Sequence, residues 1–235
     1  MKRPAAKQVL IAVALSVGVP TRASVPADQA GTALEAEVIL YDYADCLVAS
    51  TPTLVQKLVE LPDGTAAKTA AQAEIVTSEC LDQHNFEHIG DNVASMRLQQ
   101  GVLPIALEGA LYRRRFRKLP FETFADVPPL PQVADVPGML EAFKVRARAY
   151  RALGDCAVRK DPASAHALVV FRPNVRKSQA VQASFVEAIR YCLTVDQSLT
   201  LNRFIIRQLA ESSIYKLATA KIAMTEAILP KRNPR

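Results

Sequence analysis

The stretch at residues 45–76 recurs 110 positions later. Without a gap, that shift gives ten identities in 32 residues: Asp45/Asp155, Cys46/Cys156, Val48/Val158, Pro52/Pro162, Leu58/Leu168, Val59/Val169, Ala70/Ala180, Gln72/Gln182, Ala73/Ala183 and Val76/Val186. Unrelated sequences would give roughly two, so the chain carries an internal duplication. Two copies of one unit must share element order, cysteine placement and buried faces. The duplication therefore predicts architecture, and it separates scaffold residues from those particular to one copy.

Each copy reads as four helical segments. In the first, residues 34–49 place Val38, Ile39, Cys46 and Leu47 at helical spacing. Thr51-Pro52 then pairs an N-cap with a proline at the first helical position, and Leu54, Leu58 and Val59 follow. The second copy repeats the device as Asp161-Pro162, with Ala165, Leu168 and Val169 apolar. Pro62-Asp63-Gly64 and Pro173-Asn174 are turns. A third helix is predicted over about 66–81 and about 176–193, and a fourth around Leu98, Val102, Ile105, Glu108 and Tyr112, then Leu201, Ile205, Glu211 and Tyr215. Pro104 predicts a kink or a late start in the first of these, whereas the second should run from 199 to about 228. Few glycines, no tryptophan and 6% aromatics agree with packed helices rather than a β-sandwich.

The N-terminus has the pattern of an export signal over 1–27. Lys2, Arg3 and Lys7 precede an apolar run at 9–19, with cleavage expected after Ala23 or Ala27; an uncleaved anchor is the plainer alternative. Removing the segment takes away Lys2, Arg3, Lys7 and Arg22 and no acid, so a net charge of +6 becomes 6 − 4 = +2. Nucleic-acid binding loses its electrostatic support, and no further transmembrane run appears. The expected location is periplasmic or secreted. There, four cysteines imply disulfides, the alternative being four buried thiols in a reducing compartment. Cys46 to Cys80 spans 34 positions and Cys156 to Cys192 spans 36, so the duplication favours the pairs Cys46–Cys80 and Cys156–Cys192.

The expected organisation is thus a signal peptide (1–27), a first helical repeat (28–118), a proline-rich connector (119–137), a second repeat (138–229) and a disordered tail (230–235). The connector carries Phe121, Phe124, Val127 and Leu130, too apolar for a bare linker. It should lie against the helices and cover a seam between the copies.

Three groups of residues are candidates for chemistry or binding. His84, Glu87 and His88 match His-x-x-Glu-His, in which two histidines one helical turn apart hold zinc and the glutamate activates water. The segment is polar, lies just after Cys80 and has no counterpart in the second copy, so a solvated loop or turn is the plainer reading. Glu108 with Tyr112, and Glu211 with Tyr215, each place a carboxylate four residues before a phenol, on one helix face among apolar neighbours. Such a carboxylate must be hydrogen-bonded or paired if buried, and a structural lock is the first reading, ligand binding the second. Arg113, Arg114, Arg115, Arg117 and Lys118 form a basic run at a predicted helix end, where cations offset the helix dipole or meet an acidic partner or anionic surface. A Gly-rich phosphate loop, a Gly-x-Ser-x-Gly elbow and a Cys-x-x-Cys pair are all absent from the sequence.

Cys46 and Cys80, followed by Ala106-Leu107-Glu108-Gly109-Ala110-Leu111-Tyr112 and by Ala210-Glu211-Ser212-Ser213-Ile214-Tyr215, resemble a family of uncharacterised exported, disulfide-containing helical proteins of alphaproteobacteria. The resemblance implies export and an all-helical fold, and no activity or catalytic residue comes with it. The expectation is an all-α tandem repeat of two similar units, each stapled by one disulfide. It would serve as a non-enzymatic binding or scaffold protein of the cell envelope without a cofactor, its partner an unknown protein or an anionic envelope surface. The alternative is a zinc-dependent peptidase built on His84, Glu87 and His88.

Overall fold

A computed structural model describes residues 30–63, 65–76, 79–82, 102–131, 133, 140–173, 175–193 and 201–228, without the side chains of 30–36, 81, 82 and 228. The proposed signal segment, His84, Glu87, His88 and the C-terminal tail lie outside the described residues. All regular structure among the described residues is helical: α1 (Ala30–Ser50), α2 (Pro52–Glu60), α3 (Ala66–Ile75), α4 (Glu79–Asp82), α5 (Val102–Arg115), α6 (Glu141–Lys160), α7 (Pro162–Val170), α8 (Arg176–Cys192) and α9 (Arg203–Ile228). Among them, no helix is long and apolar enough to cross a membrane.

Three helix starts are capped by their own side chains, whereas α2, α6 and α8 begin without such a bond. Asp161 caps α7 by accepting from the Ser164 amide at 2.9 Å, and Pro162 occupies the first turn, where its missing N–H costs nothing. Thr51 precedes Pro52 in the same way but does not cap α2. Its hydroxyl turns back and donates to the Leu47 carbonyl at 3.1 Å, closing the end of α1 instead. Thr65 caps α3 by accepting from the Lys68 amide at 3.2 Å, and Asn202 caps α9 by accepting from the Ile205 amide at 2.8 Å. Pro104 falls in the first turn of α5 as described from Val102, so it breaks no hydrogen bond.

The predicted third helix of the first half is in two pieces. α3 ends where Val76 turns extended (ψ 109°), and α4 resumes at Glu79, whereas α8 runs unbroken to its cysteine. Val76-Thr77-Ser78 joins a β-branched residue to two hydroxyl residues that compete for backbone hydrogen bonds, all poor helix formers.

Two apolar clusters make up the core. One gathers Leu40, Tyr43 and Leu47 of α1, Val55 and Leu58 of α2, Ile75 of α3 and Leu103 and Leu107 of α5. The other gathers Leu153 and Val158 of α6, Leu168 and Val169 of α7, Phe185 and Ile189 of α8, and Leu209, Ile214 and Leu217 of α9. Burying each such Leu, Ile or Phe contributes about 1.5–3 kcal/mol. Disulfide Cys46–Cys80 ties α1 to α4 with Cα atoms 5.7 Å apart, and Cys156–Cys192 ties α6 to the end of α8 at 6.0 Å.

The clusters meet where α5 packs on α9, and Tyr215 touches both. The Glu211 side chain of α9 lies against the α5 backbone at that crossing. A Cβ on Gly109 would lie 2.8 Å from Glu211 Cγ and Cδ. The described part of the connector lies against the helices. Phe124, Val127 and Leu130 are buried in the second cluster, and Arg159 of α6 donates to the carbonyls of Phe124, Val127 and Pro128 at 2.5, 2.8 and 2.8 Å. Lys221 of α9 donates to the Thr123 carbonyl at 2.7 Å. A proline-rich strap has carbonyls that no helix or strand pairs, and these two side chains supply the donors.

Candidate functional site

Among the described residues, the largest polar assembly lies at the seam, around the C-terminal end of α7. The last four carbonyls of a helix have no partner within it. α7 has no basic residue in its last turn, so donors come from three other helices. Arg207 of α9 donates to the Leu168 carbonyl and, at 3.2 Å, to the Phe171 carbonyl. Arg113 of α5 reaches the Val169 carbonyl at 3.4 Å, and the Tyr41 hydroxyl of α1 donates to the Val170 carbonyl at 3.1 Å. The guanidinium of Arg113 also lies over the Tyr41 ring, 3.7 Å from its centre. Two cations thus meet the negative end of the α7 dipole.

Three carboxylates surround these two arginines. Glu37 Oε1 accepts from Arg207 Nε at 2.9 Å, and both side chains are buried. Ser178 of α8 accepts from Arg207 Nη2 at 2.9 Å. Asp45 Oδ1 accepts from Arg113 Nε at 3.1 Å and Nη2 at 2.8 Å. Glu211 Oε1 has only the contact left over, Arg113 Nη1 at 3.5 Å. Arg203 Nε approaches Glu37 Oε2 to 3.3 Å, a charge contact whose geometry does not make a hydrogen bond. Burial pushes the Glu211 carboxyl up to about 7. Arg113 and Arg207 pull it down, and Glu37 and Asp45 push it further up. Burial likewise raises the Tyr41 phenol.

A cavity of about 10 Å³ lies beside Glu211, lined by Glu37, Tyr41, Ala106, Arg207 and Gln208 among others. That is room for about one water molecule, not for a substrate. Gln208 Nε2, on this wall, has no hydrogen-bond partner.

The sequence-picked carboxylates are both buried, but they do not form a pair. Glu108 lies on the other side of the α5–α9 contact, where Lys216 Nζ donates to its Oε1 at 2.5 Å and to Ser212 Oγ at 2.6 Å. Burial lowers the Lys216 ammonium pKa, and Glu108 opposes that shift. Tyr112 is fully buried, with its hydroxyl 2.9 Å from His166 Nδ1, and burial raises the phenol and lowers the imidazole. Tyr215 is raised by burial and then by Glu108. The basic run is split by its position on α5. Arg113 is an interior residue of the seam, and Arg114 donates to the Val48 carbonyl. Arg114, Arg115, Arg117 and Lys118 are exposed, with Arg115 lying 5.5 Å from the centre of the Phe116 ring.

Sequence reasoning missed Glu37, Tyr41, Arg207 and Gln208. One signal was available: Arg207 stands four residues before Glu211, on the same helix face and flanked by the apolar Ile206 and Ala210. The identity of Asp45 and Asp155, 110 positions apart, was another, since Asp45 holds Arg113 and Asp155 holds Arg159 at 3.0 Å. Among the described residues, no group of three His, Cys, Asp or Glu side chains could hold a metal ion. Compared with family models, curated proteins and solved structures, the chain matches none of them.

Proposed function

We propose that the chain is an exported, non-enzymatic helical binding or scaffold protein, periplasmic or secreted, built from two related units and docking an acidic protein or an anionic envelope surface. The observation that carries the binding reading is the exposed cluster at the end of α5. There Arg114, Arg115, Arg117 and Lys118 stand together beside the half-buried Phe116. Arg113 and Arg207, by contrast, are engaged with interior carboxylates and the end of α7. The cavity beside Glu211 has room for about one water molecule.

Support for two related units comes from matched elements. α1 and α6 are 21 and 20 residues long, α2 and α7 are 9 each and begin at Pro52 and Pro162, and the disulfides span 34 and 36 residues. Two disulfides also suit an oxidising compartment.

The test is binding of the intact chain to polyglutamate and to vesicles with and without an anionic phospholipid, at low and high salt. Salt-sensitive binding to one of these anionic probes, lost in the Arg115→Glu/Arg117→Glu/Lys118→Glu variant, is expected. Binding that survives the charge reversal, or none to either probe, would overturn this reading. Metal analysis addresses the peptidase alternative: stoichiometric zinc that disappears in His84→Ala would favour the enzyme.

A further inference from the structure

We propose that the α1/α5/α9 seam is a proton-operated joint, in which the Glu211 carboxyl holds the halves together when protonated and loosens them when it ionises. The geometry carries this. Three carboxylates face two interior guanidiniums, and the hydrogen bonds are unequally shared. Asp45 takes two donors of Arg113, at 3.1 and 2.8 Å. Arg207 is committed to Glu37, Ser178 and the end of α7. Glu211 keeps one long contact of 3.5 Å while its side chain lies against the backbone of α5 at Gly109. A carboxylate so poorly compensated favours taking a proton or reaching water. The first leaves the packing intact, and the second requires α5 and α9 to separate beside the small cavity.

The surroundings of Glu211 determine the direction of the effect. α1 presents Glu37, Tyr41 and Asp45, and α5 presents Arg113, with Glu108 turned to Lys216 instead. α7 presents carbonyls, while His166 points to Tyr112. α6 meets α9 at Gly154 against Ser213, its Asp155 held by Arg159, and α8 contributes Ser178. On α9 itself stand Arg203, Arg207, Gln208 and Lys216. A carboxyl raised from 4.5 to about 7 binds more protons folded than unfolded between those values. Its stabilising effect is therefore complete below about pH 4.5 and is lost as pH rises through about 7.

The experiment uses the intact, disulfide-bonded chain. Carbon-detected NMR follows the Glu211 carboxyl, and hydrogen exchange corrected for intrinsic rates follows the amides of α5 and α9 at about pH 5.5 and about pH 8. We expect a Glu211 midpoint near neutrality and a drop in seam protection on the order of tenfold at the higher pH. In Glu211→Gln that drop should vanish, since groups such as His166 are common to both proteins and cancel in the difference. Asp45→Asn removes a negative charge that pushes the Glu211 carboxyl up and competes for Arg113, so it should move the midpoint to lower pH, and it serves if Glu211→Gln does not fold. A Glu211 carboxyl that ionises below about pH 5, an unchanged pH response in Glu211→Gln, or an unmoved midpoint in Asp45→Asn would overturn the proposal.

Discussion

Replacing Arg207 by Met keeps the apolar stem of the side chain and removes its guanidinium. In the folded protein that group pairs with Glu37, holds Ser178 and closes two carbonyls of α7. Its side chain is 4% exposed and that of Glu37 is 5% exposed, so bulk water does not reach the charge left behind. Removing one partner of a buried pair costs about 3–5 kcal/mol, mostly through the charge left behind. Arg203, 3.3 Å from Glu37 Oε2 and partly exposed, shares that charge and places the expected loss at the lower end, about 3 kcal/mol. For a chain of this size about 3 kcal/mol lowers Tm by roughly 6–12 °C. The assay is thermal and urea unfolding of Arg207→Met, Glu37→Gln and the double variant at neutral pH. The double variant should cost less than the sum of the singles by about 1–3 kcal/mol, because the stranded charge is gone. The deficit should hardly change with added salt, since the pair is interior. A loss under about 1 kcal/mol in Arg207→Met, or strict additivity, would refute the claim that this residue anchors the seam.

Further outcomes follow from the caps and the sulfur links. Asp161→Ala should cost about 1 kcal/mol in urea unfolding, while Thr51→Ala should cost clearly less, because only Asp161 bonds an amide of the helix it precedes. Removing either disulfide by a Cys→Ala pair should cost roughly 3–4 kcal/mol in the chain-entropy picture. Loss of Cys46–Cys80 should also raise hydrogen exchange in α4, a four-residue helix whose packing among the described elements is against α1, whereas α8 keeps its contacts with α6, α7 and α9.

Helix content, both proline starts, the two-cysteine rhythm and the apolar faces of α2 and α7 were legible in the sequence because each depends on residues close together in the chain. The break after Ile75 was locally encoded as well, in Val76-Thr77-Ser78, but similarity to the uninterrupted 176–193 stretch concealed it. The seam was not legible. Its members come from residues 37, 41, 45, 113, 178, 207 and 211, and which acid faces which base depends on how helices far apart in sequence cross. Arg113 shows the difficulty plainly. In sequence it is the first of a cationic run, yet α5 turns it inward against the Tyr41 ring while Arg115, two residues on, is exposed. Glu108 and Glu211 read alike for the same reason, each being an acid four residues before a tyrosine, yet one meets a lysine at 2.5 Å and the other only a shared arginine at 3.5 Å.

The two stretches solve one problem by different means, and that difference places the polar seam where it is. Each has a short second helix with carbonyls to satisfy at its end. After α2, Lys68 donates to the Leu61 carbonyl at 3.1 Å and pairs with Asp63 at 2.6 Å, so the job is done within seven residues of sequence. Burial raises the Asp63 carboxyl, but Lys68, Lys216 and Arg151 outweigh it and hold the group below the usual carboxylate range. One hundred and ten positions after Lys68 stands Ser178, too short to reach the corresponding carbonyl of Phe171. The donor there is Arg207, sent from α9 with Ser178 as one of its acceptors. A guanidinium brought in from another helix needs its own counter-charge, which α1 supplies as Glu37. That long-range solution draws α1 of one cluster onto α7 and α9 of the other. It also surrounds Glu211 with cations already engaged elsewhere, which leaves this carboxyl open to control by a proton.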